Sequence, residues 1–190
     1  MTHDAPPTAP SPAGALSAPA RFSQALYGLS LRSARGDGDA RAQLARLRRT
    51  LGRRGVEPAA FREVGVFLRD VPPDERDAYL LVAALYALHA GRSDAPWKAA
   101  VGSSFGASCG VARGRSVSMD LRFSALLDAH PDSLPYRLRQ AVALLAAADV
   151  GVRYDVLVED LLDWDNPRRT VQRRWAEAYW TPRPTLSTPA

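Results

Sequence analysis

The sequence predicts an all-α protein, built as two small helical bundles joined by a Gly/Ser-rich loop. Apolar residues recur at three- and four-residue spacing along most of the chain, as on the buried face of a helix. No segment shows the sustained two-residue alternation of a half-buried strand. With 190 residues, 46% of them hydrophobic, the chain is long enough to bury a substantial core.

The predicted N-terminal bundle covers residues 20–101 and contains three segments with helical periodicity. The first is marked by leucines at positions i, i+3 and i+7, namely Leu44, Leu47 and Leu51. The second is expected to open at Pro58 and to stop before Pro72, because proline suits the start of a helix and breaks its interior. The third spans residues 74–90 and ends at Gly91, a residue type favoured just after a helix.

The predicted C-terminal bundle covers residues 116–181 and contains four helical segments. Three of them place apolar residues on a single face: Phe123, Leu126 and Leu127; then Leu134, Leu138, Val142 and Leu145; then Tyr154, Leu157, Leu161 and Trp164. In the fourth, Asn166 is expected to cap the helix and Pro167 to take its first position, leading to Trp175 and Tyr179.

Residues outside the two bundles have the composition of loops and tails. Residues 102–115 carry four glycines among several serines, which predicts a flexible loop. Residues 1–19 are rich in proline, alanine, serine and threonine, and residues 182–190 are similar. Both ends are predicted to be disordered tails, because such sequences bury too little apolar surface to become ordered.

The cellular setting follows from a few bulk features. A single cysteine, Cys109, excludes an intramolecular disulfide and fits a reducing compartment. The longest apolar run, residues 78–88, is too short to span a bilayer. The N-terminus lacks the basic and apolar regions of a signal peptide. We therefore expect a soluble, cytoplasmic protein with no membrane partner.

Positive charge is carried almost entirely by arginine, with 24 arginines and a lone Lys98 in a chain of net charge +5. Six arginines lie within residues 41–54 and no acid separates them. On the outward face of this helix, a stripe is predicted that consists of Arg46, Arg49 and Arg53. Two further arginines, Arg48 and Arg54, are predicted to flank this stripe. Guanidinium groups bind phosphate through a planar fork, so nucleic-acid contact is one interpretation. A solvated surface encoded by a GC-rich genome is the other, and charge alone leaves both open.

A second arginine cluster lies near the C-terminus, after a segment that holds five acids and no basic residue (155–165). Arg173 stands four residues before Glu177, a spacing that favours pairing along a helix. We therefore expect this cluster, Arg168, Arg169, Arg173 and Arg174, to be neutralised within the domain by the neighbouring acidic helix.

The sequence offers no convincing active site. Residues 102–106 match the G-x-S-x-G pattern of α/β-hydrolases with Ser104 as the serine, and possible partners follow: Asp120, Asp128 and His130. That pattern requires a strand before the turn, and no strand is predicted. The histidines and Cys109 lack metal-ligand spacing, and the glycines lack the Lys-Ser/Thr of a P-loop. We predict no enzyme, no metal and no cofactor; a hydrolase using Ser104 remains the least favoured alternative.

A series of short segments is spread over residues 40–181: 45–49, 58–61, 83–89, 104–106, 122–127, 134–140, 154–164 and 171–179. In order and spacing, they resemble the CasB family, the small subunit of the type I-E CRISPR surveillance complex, Cascade. The resemblance implies an all-helical protein of two bundles without catalytic activity. It also implies two copies, arranged head to tail, beside the large subunit and the backbone subunits.

In that family, the small subunit helps to hold the guide RNA–target DNA heteroduplex and the displaced strand. By similarity, five arginines fall where the family places basic residues that face nucleic acid: Arg48, Arg49, Arg122, Arg137 and Arg139. Two arginines of the predicted loop are added as candidates: Arg113 and Arg115. The residues alone leave another function open, a helical adaptor whose arginines bind an acidic protein partner.

Overall fold

The computed structural model describes residues 16–51, 59–92, 104–113 and 118–181. Within these ranges the chain forms nine α-helices and no β-strand, which confirms the all-α fold class. The α-helices are α1 (Ala18–Ala34), α2 (Gly38–Arg49), α3 (Ala60–Val64), α4 (Arg76–Ala90), α5 (Phe105–Arg113), α6 (Met119–Leu127), α7 (Leu134–Ala147), α8 (Tyr154–Leu162) and α9 (Thr170–Trp180). Two 3₁₀-helices, Gly65–Leu68 and Pro131–Ser133, precede α4 and α7.

Helix α1 forms over residues 18–34, where no helical segment was predicted, and it begins inside the predicted N-terminal tail. The Ser17 hydroxyl accepts a hydrogen bond from the Ala20 N–H at 3.3 Å, so Ser17 caps α1. Pro19 is buried in the first turn, where its missing N–H leaves no hydrogen bond unmade. The predicted tail boundary at residue 19 is therefore wrong by a few residues. Residues 1–15 and 182–190 lie outside the described ranges.

Helix α4 forms the centre of the core. Every residue from Tyr79 to His89 is buried, and a helix that is apolar on all sides belongs in an interior. It packs against α1 and α2 on the N-terminal side and against α7 and α8 on the C-terminal side. The two halves of the chain therefore share one continuous hydrophobic core.

The predicted flexible loop 102–115 is wrong across Phe105–Arg113, which form α5. Helix α5 packs closely on α9, and its glycines lie at the contact. A Cβ atom on Gly106 would fall 2.3 Å from the Trp175 carbonyl oxygen, and one on Gly110 would fall 3.2 Å from that of Tyr179. These two glycines allow the backbones to approach each other, so their density reflects helix packing and not flexibility.

Helices α8 and α9 are joined by a buried carboxylate. Asp160 is 1% exposed, accepts a hydrogen bond from Trp175 Nε1 at 2.6 Å and pairs with the Arg174 guanidinium. Burial raises the pKa of Asp160, although the hydrogen bond from Trp175 opposes this shift. Arg169 instead donates to the Leu127 carbonyl oxygen, at 2.6 Å. The predicted pairing of this arginine cluster with the acidic helix is confirmed at Arg174. It is wrong at Arg168 and Arg173, which are exposed and form no ion pair with a described carboxylate.

The start of α9 differs from the sequence prediction. Asn166 does not cap the helix; its Oδ1 accepts a hydrogen bond from the Arg168 N–H at 3.0 Å, closing a local turn. The chain then passes through Arg169 in the left-handed region, with φ of 52°, and α9 begins at Thr170. The asparagine therefore ends the preceding segment, and the helix starts later than Pro167.

His89 is buried within the core at the end of α4. Its Nδ1 lies 2.8 Å from the Tyr154 hydroxyl oxygen, and no described residue forms a hydrogen bond with Nε2. Burial lowers the pKa of His89 to about 4, because the charged imidazolium would lose its hydration. The imidazole is therefore neutral in the folded protein near neutral pH.

This burial predicts that stability falls on mild acidification. The unfolded chain, with a histidine pKa of about 6.5, binds more protons than the folded chain, so stability decreases as the pH drops from about 6.5 towards 4. Between pH 7 and pH 5 we expect a loss of about 2 kcal/mol in the free energy of unfolding, measured by urea denaturation. His89→Leu should remove most of this pH dependence, whereas His130→Ala, at an exposed histidine, should not. An unchanged pH dependence in His89→Leu would contradict the assignment.

Candidate nucleic-acid interface

Three predicted site residues lie in the last turn of α2: Arg46, Arg48 and Arg49. Arginine is favourable there, because the carbonyl groups at the C-terminus of a helix carry partial negative charge. Ala40 and Leu47 bury the opposite face of the helix. The three guanidinium groups therefore project from α2 in different directions, and each has a different environment.

Arg46 is paired with a carboxylate of its own molecule, although its side chain is 40% exposed. Its Nε donates a hydrogen bond to Glu63 Oε1 at 2.8 Å, and Arg62 Nε donates to the same oxygen at 3.1 Å. The Glu63 side chain is only 5% exposed, and the hydrogen bond from Arg46 lowers its pKa. No acid lies within residues 41–54, yet Glu63 of α3 pairs with Arg46.

The guanidinium groups of Arg48 and Arg49 lie at the surface without an acidic partner among the described residues. Both are exposed, and neither forms an ion pair with any carboxylate in the described ranges. The Arg48 guanidinium packs on Gly91 at the end of α4, where a Cβ atom would fall 2.0 Å from its Nη1. Gly91 thus leaves the space that lets Arg48 lie across the ends of two helices.

Two further arginines lie near this end of α2. Arg139 of α7 is exposed and donates from Nη1 to the Leu51 carbonyl oxygen at 3.1 Å, which places it just beyond the helix terminus. Arg92 directly follows Gly91, is exposed, and was missed in the sequence. The sequence signal for Arg92 was Gly91, which marks the predicted end of a helix. A basic residue directly after that end lies where neighbouring helices also end. We define the basic cluster as Arg48, Arg49, Arg92 and Arg139.

Two other predicted residues make contacts of their own. Arg113 at the end of α5 forms an ion pair with Asp120 at 3.0 Å and lies 5.5 Å from the centre of the Tyr179 ring. Arg137 lies 5.9 Å from the centre of the Tyr136 ring. Each guanidinium group is therefore partly engaged on the C-terminal half of the protein.

The structure does not gather all the predicted residues into one site. Arg137 stands two positions before Arg139 in α7, so the two side chains leave opposite flanks of the helix. Arg122 of α6 is half-buried, and no contact joins it to the basic cluster within the described ranges. Two predicted residues lie outside those ranges: Arg53 and Arg115.

The candidate hydrolase residues are engaged elsewhere. Ser104 is 3% exposed, and its hydroxyl accepts a hydrogen bond from the Ala107 N–H at 3.3 Å, as an N-cap of α5. His130 Nδ1 instead lies 3.5 Å from the carboxylate of Asp132. The described residues thus show no Ser–His contact of a catalytic triad, nor any group of three or more His, Cys, Asp and Glu able to hold a metal ion. None of the described helices is long and apolar enough to cross a membrane.

Comparison with known proteins places the chain in a family. Residues 43–180 match the family model of the CRISPR-associated protein Cse2. A curated CRISPR-associated protein Cse2 from Thermus thermophilus is 41% identical over 128 residues, which cover 66% of this chain and 70% of that protein. The crystal structure of CasB from Thermus thermophilus is similar with a TM-score of 0.67 and 38% identity, covering 87% of this chain and 99% of that one.

A chain of a CRISPR RNA-guided surveillance complex shares the fold, with a TM-score of 0.63 and 24% identity over 84% of this chain and 91% of that one. The match to the family model spans most of the chain, and it agrees with the resemblance that the sequence showed. The chain is a member of the CRISPR-associated Cse2/CasB family.

Proposed function

We propose that this protein is a non-catalytic subunit of the type I-E CRISPR surveillance complex, Cascade, in antiviral defence. It binds the backbones of the guide RNA and the target DNA, and it stabilises the heteroduplex and the displaced strand. Its partners are the large subunit, the backbone subunits and a second copy of itself, in the cytoplasm. Family membership supports this role, as does the shared fold with a chain of an RNA-guided surveillance complex.

The observation that carries the nucleic-acid role is the basic cluster. Arg48, Arg49, Arg92 and Arg139 are exposed near the end of α2, and no described carboxylate pairs with them. Uncompensated guanidinium groups on rigid helices form a binding surface for phosphates without a pocket. Among the arginines predicted in α2, Arg46 contributes less to phosphate binding, because its guanidinium group is paired with the Glu63 carboxylate.

The energetics of strand exchange make such a surface useful. Forming an RNA–DNA heteroduplex in place of a DNA duplex is nearly balanced in free energy, so contacts between a protein and the backbones can tip it. Contacts of this kind need positive charge and no sequence reading. A subunit with exposed arginines and no active site is sufficient for that task.

The test is the binding of the isolated protein to single-stranded DNA and to an RNA–DNA hybrid, each in several unrelated sequences. We expect weak binding that does not depend on sequence. On the single strand, log affinity should fall against log salt with a slope of about 0.7 per phosphate contacted. Binding that is insensitive to salt would contradict the proposal. Association with an acidic protein that survives nuclease treatment and needs no guide RNA would instead support the adaptor alternative.

A further inference from the structure

A groove of about 450 Å³ opens at the surface where the start of α4 meets the start of α7 and the end of α8. Its floor is apolar, because Leu81, Leu134 and Trp164 line it and are buried. Leu162 also lines it and is 41% exposed, so the apolar lining reaches the surface. The basic cluster contributes no residue to this lining, and the proposed nucleic-acid contacts therefore leave the groove open.

The exposed rim of the groove is acidic. Asp74, just before α4, and Asp77, in its first turn, line one side, and Asp165, in the turn after α8, lines the groove as well. All three are exposed, and none forms an ion pair or a side-chain hydrogen bond with a described residue. No arginine, lysine or histidine of the described ranges lines the groove. It is therefore a negative surface on a chain whose net charge is +5.

The basic residues closest in sequence to these aspartates do not neutralise the rim. Arg76 donates from Nε to the Val71 carbonyl oxygen at 2.9 Å, and its guanidinium carbon lies 5.8 Å from the centre of the Phe61 ring. Arg168, three residues after Asp165, is exposed and does not line the groove. The carboxylates at the rim are therefore available to a positive group from another molecule.

An apolar floor below a carboxylate rim matches the two parts of a long basic side chain. Arginine and lysine lay their aliphatic stems along apolar surface and keep the charged head at its edge. An acidic rim repels phosphates, so nucleic acid does not fit, whereas arginine beside apolar side chains is common at protein interfaces. We propose that the groove binds a segment of another protein subunit that presents arginine or lysine beside a large apolar side chain.

The inference rests on the proposed function and gives the chemistry of one contact within the complex. The groove and the basic cluster lie at opposite ends of α4: Asp77 is in its first turn, and Arg48 packs on Gly91 after its last residue. A helix of 15 residues is about 22 Å long, so protein and nucleic acid can bind at the same time. A second copy is not the inferred occupant, because in the proposed function nucleic acid takes up its basic cluster.

The first test measures how tightly this protein joins a complex of the remaining Cascade subunits, assembled on guide RNA without it. In the double variant Asp77→Asn, Asp165→Asn, we expect the affinity to fall roughly tenfold or more, because charge pairs at the groove are lost. The affinity of the variant should also depend less on salt than that of the wild type. Binding of the isolated variant to single-stranded DNA should be no weaker, since no arginine is changed.

The matched control removes two carboxylates elsewhere. Asp39 lies in the first turn of α2, as Asp77 does in α4, and Glu177 is exposed on α9. Neither lines the groove. Asp39→Asn, Glu177→Gln therefore changes the net charge equally and should join the complex almost as tightly as the wild type. Circular dichroism of both double variants shows whether their folds persist.

The second test identifies the occupant and leaves the aspartates unchanged. Leu162→Cys places a thiol at the groove for a maleimide photocrosslinker. The native Cys109 does not react, because it is fully buried and burial raises the pKa of its thiol. After irradiation of the assembled complex, mass spectrometry should find the crosslink on another subunit, in a segment with arginine or lysine next to a large apolar residue.

Several outcomes would overturn the inference. A crosslink to nucleic acid, to a second copy of this chain or to a segment without basic residues would do so. Equal affinity of the groove variant and the wild type for the complex would also do so, as would equal losses in the groove variant and the control. If the wild type joins the complex and the groove variant matches it, only this inference fails. If the wild type does not join the complex, the proposed function itself fails.

Discussion

Gly106→Ala is expected to destabilise the protein by about 3 kcal/mol, the upper part of the range for overpacking a core. The new Cβ atom would lie 2.3 Å from the Trp175 carbonyl oxygen and 2.5 Å from its Cα. These are backbone atoms of α9, so no side chain can turn away to make room, and α5 would have to move off α9. Urea denaturation should show the loss as a lower midpoint with an unchanged m-value.

Two other glycines serve as controls for this prediction. Gly28 lies inside α1, and a Cβ atom there would meet nothing within 4 Å, so Gly28→Ala should stabilise the protein by about 0.5–1 kcal/mol. Gly110→Ala should cost less than Gly106→Ala, because its nearest contact is 3.2 Å. A Gly106→Ala variant as stable as the wild type would show that this glycine is not needed for the approach of α5 to α9.

The double variant Arg48→Ala, Arg49→Ala is expected to weaken binding to nucleic acid roughly tenfold or more, because two charge-assisted phosphate contacts are lost. The loss should be similar for every sequence, since phosphate contacts carry no sequence information. Effects on folding should stay small, because both side chains are exposed and contribute at most about 1 kcal/mol each through the helix dipole.

The matched control removes the same charge elsewhere. Arg168 and Arg173 are exposed near the start and on the outer face of α9, away from α2. Arg168→Ala, Arg173→Ala therefore changes the net charge equally but leaves the basic cluster intact. It should lower affinity only slightly. Equal losses in the two double variants would mean that net charge alone governs binding.

The sequence predicted the elements whose signals are local. The apolar run of residues 74–90 and the glycine after it predicted α4 closely, because a buried helix and its end are both visible in neighbouring residues. The faces of α7 and α8 were equally clear, since each repeats with the helical period. Burial of Trp164 and Trp175 agrees with the apolar faces inferred for them.

The errors arose where a distant partner decides the structure. Gly106 and Gly110 were predicted to lie in a loop, because the segment around them is rich in glycine and serine, as loops are. The reason for glycine at these positions is the close approach of α9, which lies more than sixty residues later in the sequence. Asn166 and Pro167 have the residue types of a helix start, but they belong to a turn before α9 that the Asn166 side chain closes. Local propensity cannot distinguish these cases, because the same residue types serve both.

The same limit applies to the candidate interface. Periodicity placed Arg46 and Arg49 on the outer face of α2, yet Arg46 meets Glu63, which lies seventeen residues away in another helix. Arg139 and Arg92 approach the end of α2 only through packing of α7 and α4, so no spacing in the sequence could join them. The sequence thus supplied most of the candidate arginines, while tertiary contacts separate the paired arginine from the free ones.

The most direct test of the proposed function is the salt slope of single-stranded DNA binding for the Arg48→Ala, Arg49→Ala variant beside the Arg168→Ala, Arg173→Ala control. If Arg48 and Arg49 each contact one phosphate, the first variant should lose about 1.4 from the slope of log affinity against log salt, twice the value for a single contact. The control should keep the wild-type slope. A basic-cluster variant with the wild-type slope and affinity would contradict the claim that these arginines hold the nucleic-acid backbone.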